Sequence, residues 1–434
     1  MKTLNRVLTI LSQENVFLTG GAGVGKSYMT KQIIKYYKDS LLNSVVLGST
    51  GISAVNVGGQ TIHSFFVFGI SSDFEELSRS DRYNKNRIKE LNKILKNLEL
   101  LVIDEISMVS SNLMDMILYR LRNGKFKGRI LVVGDFYQLP PVIKFGKKST
   151  VFDDEVYAFE SSAWDQFEFN IVELTKIKRT TDEEFMKVLN SVRVGELDKY
   201  ALDYLINLKE KTLEIEDSTT LFGRNQEADR LNLEKISLLK REEFTKEAIL
   251  TIQKEKLDQR KIDNWIKTLP IIPNLKLKEG VPIIFTSNKW GAYYNGERAL
   301  VEHIDDDSIV LDKNGQLLKV DRFDFDLSQT VVNDKGEVEN ETLCTLSQFP
   351  IRPAYAITIH KSQGMSLDNL VCNVDNIFVD SQFYVALSRA VEPKRLKIVF
   401  GRGDFIGYLK RVVRVSNKVK EFYKNRQTLR VEEV

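Results

Sequence analysis

The sequence predicts an α/β fold made of two parallel sheets, each covered by helices, with a small β-barrel inserted into the second. Three observations carry this. Short, fully apolar runs alternate with helical patterns through the first half. The same alternation returns near the end. Between the two, the chain breaks into short alternating strands separated by turn signals.

In the first half the strand candidates are VFLTG at 16–20, SVVLGST at 44–50, LELLVIDE at 98–105 and RILVVGD at 129–135. The runs KSYMTKQIIKYYK and LMDMILYRL between them are apolar at helical spacing. Late in the chain STTLFGRN, AYAITIHKSQG, NLVCNV and LKIVFGRG are strand-like, and SQFYVALSRA is helix-like. The middle holds ALVEHI, SIVL, QLLKV, TVVN and TLCTL, with turn signals at Asn314-Gly315 and Lys335-Gly336. The expected domains are therefore 1–172, with a small insertion around 65–97; 173–235 joined to 347–434; and an insertion at 236–346 containing a helical segment and the barrel. A parallel sheet of this kind binds ligands at the carboxyl ends of its strands.

Composition narrows the chemistry. Only 2 cysteines (Cys344 and Cys372) and 3 histidines occur in 434 residues, which excludes a disulfide framework, a zinc ribbon or an iron–sulfur cluster. No apolar run approaches the ~18–20 residues that span a bilayer. A removable leader is not expected, because the segment from Asn15 already reads as a core strand. The net charge is +3, so affinity for a polyanion requires a local basic groove. Two stretches are basic. In one, Arg79, Arg82, Lys85, Arg87, Lys89, Lys93 and Lys96 surround a helical apolar face of Ile88, Leu91, Leu95 and Leu98. It is either a solvated helix side or part of an electrostatic track. The other, Lys410–Arg430, reads as a solvated face.

Gly20–Ser27 reads GGAGVGKS. Glycines let the backbone wrap a polyphosphate and bare its N–H groups, and the helix that follows adds a favourable dipole. The loop residues Gly21, Ala22, Gly23, Val24 and Gly25 would cradle the phosphates, and Tyr28 would follow them on the helix. Lys26 would reach the terminal phosphates, and the Ser27 hydroxyl would bind Mg²⁺. The strand LLVIDE ends in two carboxylates at the same sheet edge: Asp104 for Mg²⁺, Glu105 to orient and deprotonate the attacking water. In LVVGDFYQLPPV, Gln138 follows a third strand, where a neutral amide can sense the γ-phosphate. Arg179 in LTKIKRT and Arg389 in YVALSRA are candidates to stabilise charge on the transferred phosphoryl group. Two segments share small and hydroxyl residues plus a histidine: Gly48–Phe66 with His63, and Ala354–Gly364 with His360. Thr50, Ser64 and Ser362 are donors for the phosphates of a single strand. Phe65 and Phe66 are either base-stacking platforms or core.

Taken in order, GGAGVGKS, STGISAVNVGGQTIHSFF, VIDEISMVS, GDFYQLPPV, LTKIKRT, LFGRNQEADRLN, YAITIHKSQGMSLD and YVALSRA resemble the superfamily 1 helicases. Within them, the match is to the petite-integration-frequency (PIF) DNA helicases, relatives of the RecD-like group. It runs from about residue 15 to 400, and TLPIIPNLKLKEGVPIIFTSNK followed by YNGERALV looks like that family's lead-in to an SH3-like barrel. The resemblance implies two RecA-like P-loop domains with ATP between them. It implies Mg²⁺-dependent ATP hydrolysis coupled to 5′-to-3′ movement on single-stranded DNA and to unwinding of forked or tailed duplex. It also implies roles in replication, repair, recombination and telomere maintenance. A cytoplasmic location is expected from the lack of a visible targeting peptide, with no membrane, and the core is expected as a monomer, a DNA-induced dimer being the alternative. By position, Lys26, Ser27, Asp104, Glu105, Gln138, Arg179 and Arg389 form the ATPase site. Gln363 and Gly364 lie close to the nucleotide, and Thr50, Gly51, His63, Ser64, Phe65, His360 and Lys361 face the DNA.

The sequence departs from that family in more than one respect, among them a short spacer between VIDEISMVS and GDFYQLPPV. The upstream glutamine that reads adenine is replaced by Asn5 or Gln13 at best, which leaves the base that is read open. Two other functions share many of these motifs. One is a translocase that strips proteins or remodels RNA or RNA–DNA hybrids. The other is a nucleotide-switched DNA-binding scaffold without turnover, which the presence of Glu105, Arg179 and Arg389 disfavours.

Overall fold

The computed structural model describes every residue except 1, 57–58, 70, 72, 142–155, 213–217, 255–256, 290, 334–335 and 432–434. Val142 of the GDFYQLPPV run and Lys335 of the expected turn lie outside the described residues. The chain divides into two compact units. Residues 1–178, 327–343 and 417–434 form the first, and residues 179–326 and 344–416 form the second.

The first unit is built on a seven-stranded sheet. Its strands are β1 (Val16–Thr19), β2 (Ser44–Gly48), β3 (Gln60–Thr61), β4 (Leu100–Asp104), β5 (Arg129–Val133), β6 (Asn170–Leu174) and a C-terminal strand, Thr428–Val431. The order is C-terminal strand, β6, β1, β5, β4, β2, β3, and every pairing is parallel. All four strands expected in the first half are present. Burial on both faces explains their unbroken apolar texture: Leu100 to Ile103 are each 0 % exposed. Each such side chain contributes ~1.5–3 kcal/mol. One face of the sheet packs Val16, Leu18, Leu131 and Val133 against Val7 and Leu11 of helix Lys2–Leu11 and Met29 and Ile33 of helix Lys26–Asp39. Phe17 belongs instead to an aromatic cluster, edge-on to Trp164 at 5.4 Å; Phe136 and Phe422 each lie against Phe159, at 4.8 and 4.5 Å.

The stretch 417–434, grouped by the sequence with the second domain, belongs to the first unit. Helix Asn417–Lys424 supplies Phe422 to the aromatic cluster, and Thr428–Val431 pairs with β6. Several of its basic residues form surface ion pairs. Lys418 pairs with Glu160 at 2.5 Å, Arg426 with Asp165 at 2.8 Å and Arg430 with Glu173 at 3.3 Å. The other basic stretch forms helix Lys85–Asn97, which buries Leu91, Ile94 and Leu95 and exposes Lys85, Lys89, Lys93 and Lys96.

The second unit holds a four-stranded parallel sheet in the order Ala356–Thr358, Thr219–Phe222, Leu370–Asn373, Leu396–Val399. Asn232, on helix Asn225–Leu238, stitches that helix to the edge strand. Its Nδ2 donates to the Ala356 carbonyl at 2.7 Å, and its Oδ1 accepts from the Ala356 N–H at 3.0 Å. The inserted strands Pro282–Phe285, Arg298–Ile304, Ser308–Lys313 and Gln316–Asp321 form an antiparallel sheet completed by Ile351–Pro353. Asn314 and Gly315 both have positive φ (56° and 84°), as the tight turn between the last two of the four requires. Among the described residues these pairings do not show the expected barrel closed. The order leaves Gln316–Asp321 and Ile351–Pro353 as edges. TVVN and TLCTL, expected as barrel strands, lie instead in the long strands Phe323–Val332 and Val338–Gln348, in a separate sheet with Ile249–Ile252. No helix among the described residues is long and apolar enough to cross a membrane.

Candidate functional site

Parallel pairing brings the carboxyl ends of the strands of the first unit to one edge. Leu18 is level with Val133, Val132 with Ile103, and Asp104 with Gly48, which is level with Thr61. The segments leaving that edge are the ones the sequence singled out: Gly20–Ser27, Glu105, Gln138, Thr50–Gly51 and His63–Phe65.

The glycine-rich loop joins β1 to helix Lys26–Asp39. Gly20 has φ 137°, and a Cβ there would stand 2.3 Å from the Leu174 carbonyl oxygen, so a side chain would break the contact with β6. Gly25 caps the helix in the left-handed region at φ 98°, which an L-residue reaches only at a cost of roughly 1–2 kcal/mol. Lys26 Nζ donates to the carbonyls of Gly20 at 2.7 Å and Gly21 at 2.9 Å, so the ammonium lies over the mouth of the loop. Ala22 and Val24 are buried, Gly23 has φ 78°, and Ser27 and Tyr28 are exposed on the first helical turn. With no acidic residue in that turn, the helix N-terminus keeps its affinity for an anion.

At the end of β4 the backbone turns abruptly, with Glu105 itself left-handed at φ 54°. The turn ends the strand's alternation, so the two carboxylates leave it in succession without continuing its pleat. Burial pushes the Asp104 carboxyl up to about 7, and the charge of Glu105 pushes the same way; the Glu105 backbone N–H and the Lys26 ammonium oppose them. A divalent cation would relieve this crowding of negative charge. The donor set of Ser27 hydroxyl and Asp104 carboxylate is all oxygen, which suits Mg²⁺ taking its other ligands from phosphate and water. Among the described residues no group of three or more His, Cys, Asp or Glu could hold a metal alone.

Gln138 is buried (5 % exposed) in the turn after β5. Its N–H donates to the Asp135 carbonyl at 2.8 Å, and Asp135 Oδ1 accepts from the Tyr137 N–H at 3.2 Å. Tyr423, from the C-terminal helix, closes the same turn. Its hydroxyl accepts from the Phe136 N–H at 3.2 Å and lies 2.9 Å from Thr19 Oγ1, and its ring stacks on Tyr137 at 4.8 Å. Sequence reasoning missed Tyr423 because it sits in a basic stretch with no motif. Its only signal was a pair of aromatics, Phe422-Tyr423, inside an amphipathic run.

Thr50 and Ser53 bind each other reciprocally: Ser53 Oγ accepts from the Thr50 N–H at 2.9 Å, and Thr50 Oγ1 from the Ser53 N–H at 3.1 Å. This fixes Gly51 at the start of helix Gly51–Asn56. Ser64 and His63 are half-buried on the helical turn Ile62–Phe65, His63 edge-on to Phe68. Phe65 (5 % exposed) and Phe66 (0 %) pack edge to face at 4.9 Å. Both rings are packed into the core in this structure.

In the second unit, Arg179 and Arg389 meet around one serine. Arg179 Nε donates to Ser366 Oγ at 2.9 Å and its Nη1 to the Ser388 carbonyl at 2.6 Å. Arg389, 2 % exposed, donates to the Val385 carbonyl at 3.0 Å and to Ser388 Oγ at 3.0 Å. Burial and the like charge of Arg389 push Arg179 down to about 9. Both serines were inside the quoted motifs, but nothing in the sequence said that they hold arginines. His360 stacks on Phe378, and burial lowers its pKa. Lys361 is lowered by burial and by the charge of Arg352. Gln363 is half-buried, and Gly364 is exposed with φ 79°. Ser362 is fully buried and donates to the Ile359 carbonyl, which removes it as a surface donor.

Comparison with known proteins agrees with this geometry. The family model described as PIF1-like helicase matches residues 2–202. The chain is 42 % identical over 436 residues to the ATP-dependent DNA helicase Pif1 of Campylobacter jejuni, covering 98 % of this chain and 97 % of that protein. The crystal structure of Bacteroides sp. Pif1 in complex with ADP-AlF4 superposes with a TM-score of 0.82 at 28 % identity, covering 98 % and 96 % of the two chains. A structure of two coordinating Pif1 helicases at forked double-stranded DNA matches with a TM-score of 0.65, at the same identity and coverage. Likeness over nearly the whole length, joined to the P-loop sheet edge described above, places this chain in the PIF1-like helicase family.

Proposed function

We propose that this chain is an ATP-dependent DNA helicase that uses Mg²⁺-ATP and moves 5′ to 3′ on single-stranded DNA. The observation that carries the reading is Lys26. Its ammonium is held over the glycine loop by two carbonyls, and its charge acts on Asp104 at the end of β4. A terminal phosphate offers Lys26 a charge-assisted partner stronger than those carbonyls. When bound, Mg²⁺ neutralises charge on the phosphates. Ser27 and Asp104 would hold it, Glu105 would orient and deprotonate the attacking water, and Gln138 would contact the γ-phosphate. Arg179 and Arg389 offer positive charge to the phosphoryl oxygens, an effect of about 10³–10⁵ in rate where it operates.

Thr50, Gly51, His63, Ser64, His360 and Lys361 supply the donors for a DNA strand. Opening one base-pair step costs ~1.4 kcal/mol on average. Binding alone can hold a frayed end but cannot impose direction, because the energy returned is the same at every position. Hydrolysis supplies the asymmetry. The core works as a monomer that pairs on forked DNA, and the cytoplasm is its expected place. Strand displacement on 5′-tailed and 3′-tailed duplexes, with and without ATP, tests the reading. Unwinding of the 5′-tailed substrate only, and only with ATP, is expected; displacement without ATP would overturn it.

A further inference from the structure

The C-terminal helix Asn417–Lys424 does more than cover the sheet. The hydroxyl of Tyr423 touches two segments that enter the nucleotide site from different strands. One is Thr19, the residue before Gly20 of the phosphate loop, at 2.9 Å. The other is the N–H of Phe136, two residues before Gln138, at 3.2 Å. In the contact with Thr19 either hydroxyl can be the donor. The ring is fixed independently, stacked on Tyr137 with planes 10° apart and edge-on to Phe422 at 5.2 Å. The segment carrying it is tied to the unit by Arg426–Asp165 at 2.8 Å and by the strand Thr428–Val431 beside β6.

We infer that Tyr423 is a positioning residue for ATP hydrolysis, its hydroxyl setting the spacing between the phosphate loop and the Gln138 turn. The role assigned to it runs through these two segments rather than through contact with substrate. The inference rests on the ATPase reading above and adds to it a control point more than 400 residues from the loop in sequence (|i−j| = 404). A misplacement of the order of 1 Å in such a constellation costs about 10²-fold. One hydrogen bond of a well-packed network, lost without its ring, permits a smaller shift.

The test is steady-state ATP hydrolysis, with DNA present, by Tyr423→Phe, which keeps the ring and both stacking contacts. A fall in kcat of about 3–30-fold, with KM for ATP and the melting temperature near wild type, is expected. Thr19→Val should lower kcat similarly, Thr19→Ser should retain it, and the double variant Thr19→Val/Tyr423→Phe should be no worse than either single. Arg426→Ala loosens the same segment without touching the hydroxyl and should leave kcat unchanged. Unchanged kcat in Tyr423→Phe overturns the inference while the ATPase reading stands. So does a fall matched by Arg426→Ala, which would make the segment merely structural. Absence of wild-type turnover would overturn both.

Discussion

Arg179 and Arg389 are fastened to the same residue: Arg179 to the Ser388 carbonyl at 2.6 Å, Arg389 to the Ser388 hydroxyl at 3.0 Å. The two cations are not equivalent. Arg389 is buried and donates to backbone inside its own unit, whereas Arg179 is half-buried. Arg179→Ala is expected to cut turnover by more than ~10²-fold with little loss of stability. Arg389→Ala should lower turnover and also destabilise by about 1–3 kcal/mol, since the carbonyls it serves lose a charged donor. Paired ATPase rates and urea melts separate the two.

Lys26 is held by loop carbonyls of its own segment, so its removal is expected to leave the sheet intact. Lys26→Ala should abolish ATP turnover while single-stranded DNA affinity, read by fluorescence anisotropy, stays within a few-fold. Retained turnover would remove the phosphate-loop assignment.

His360 predicts a pH effect on stability. Burial lowers its folded pKa below the ordinary 6.5, so the unfolded chain takes up a proton first as pH falls. The stability associated with the neutral ring is present above pH 6.5 and is lost as pH falls from there through the folded pKa. Melting temperatures between pH 7.5 and 5 should fall more steeply in the wild type than in His360→Gln. Equal slopes would mean that another group governs this window.

Arg120 anchors the segment after the His63 turn. It is 1 % exposed, donates to the Phe66 carbonyl at 2.9 Å and forks onto Asp81 at 2.6 and 2.8 Å. Breaking a buried pair by removing one partner costs about 3–5 kcal/mol, here toward the low end because the Asp81 side chain is 21 % exposed. Asp81→Asn should therefore destabilise in urea melts, and Arg120→Ala should do so more.

The parts legible in the sequence were those where chemistry is written on adjacent residues. The glycine loop, the acidic end of β4 and the strands around them announce themselves through local pattern, because phosphate wrapping and two-sided burial both demand contiguous residue types. The parts that were not legible depend on pairing across long separations. TVVN and TLCTL alternate as barrel strands would, but alternation says which face is buried and not which strand lies alongside. Phe65, read as core ahead of platform, could not be settled from adjacent residues for the same reason. Tyr423 and Thr428–Val431 could not be assigned to the first unit from a basic stretch whose one aromatic pair names no partner.

That last strand has a consequence for biosynthesis. Thr175 hydrogen-bonds to Val431 across 256 positions, and the flank of β6 stays uncovered until Thr428–Val431 arrives. At about 5–20 residues per second, translation needs roughly 13–50 s to supply it. During that interval the nascent chain exposes a raw β margin, the kind of template that recruits stray polypeptide. A bulky fusion placed just beyond Val431 would therefore hamper maturation of the nucleotide-binding half rather than decorate an idle tail.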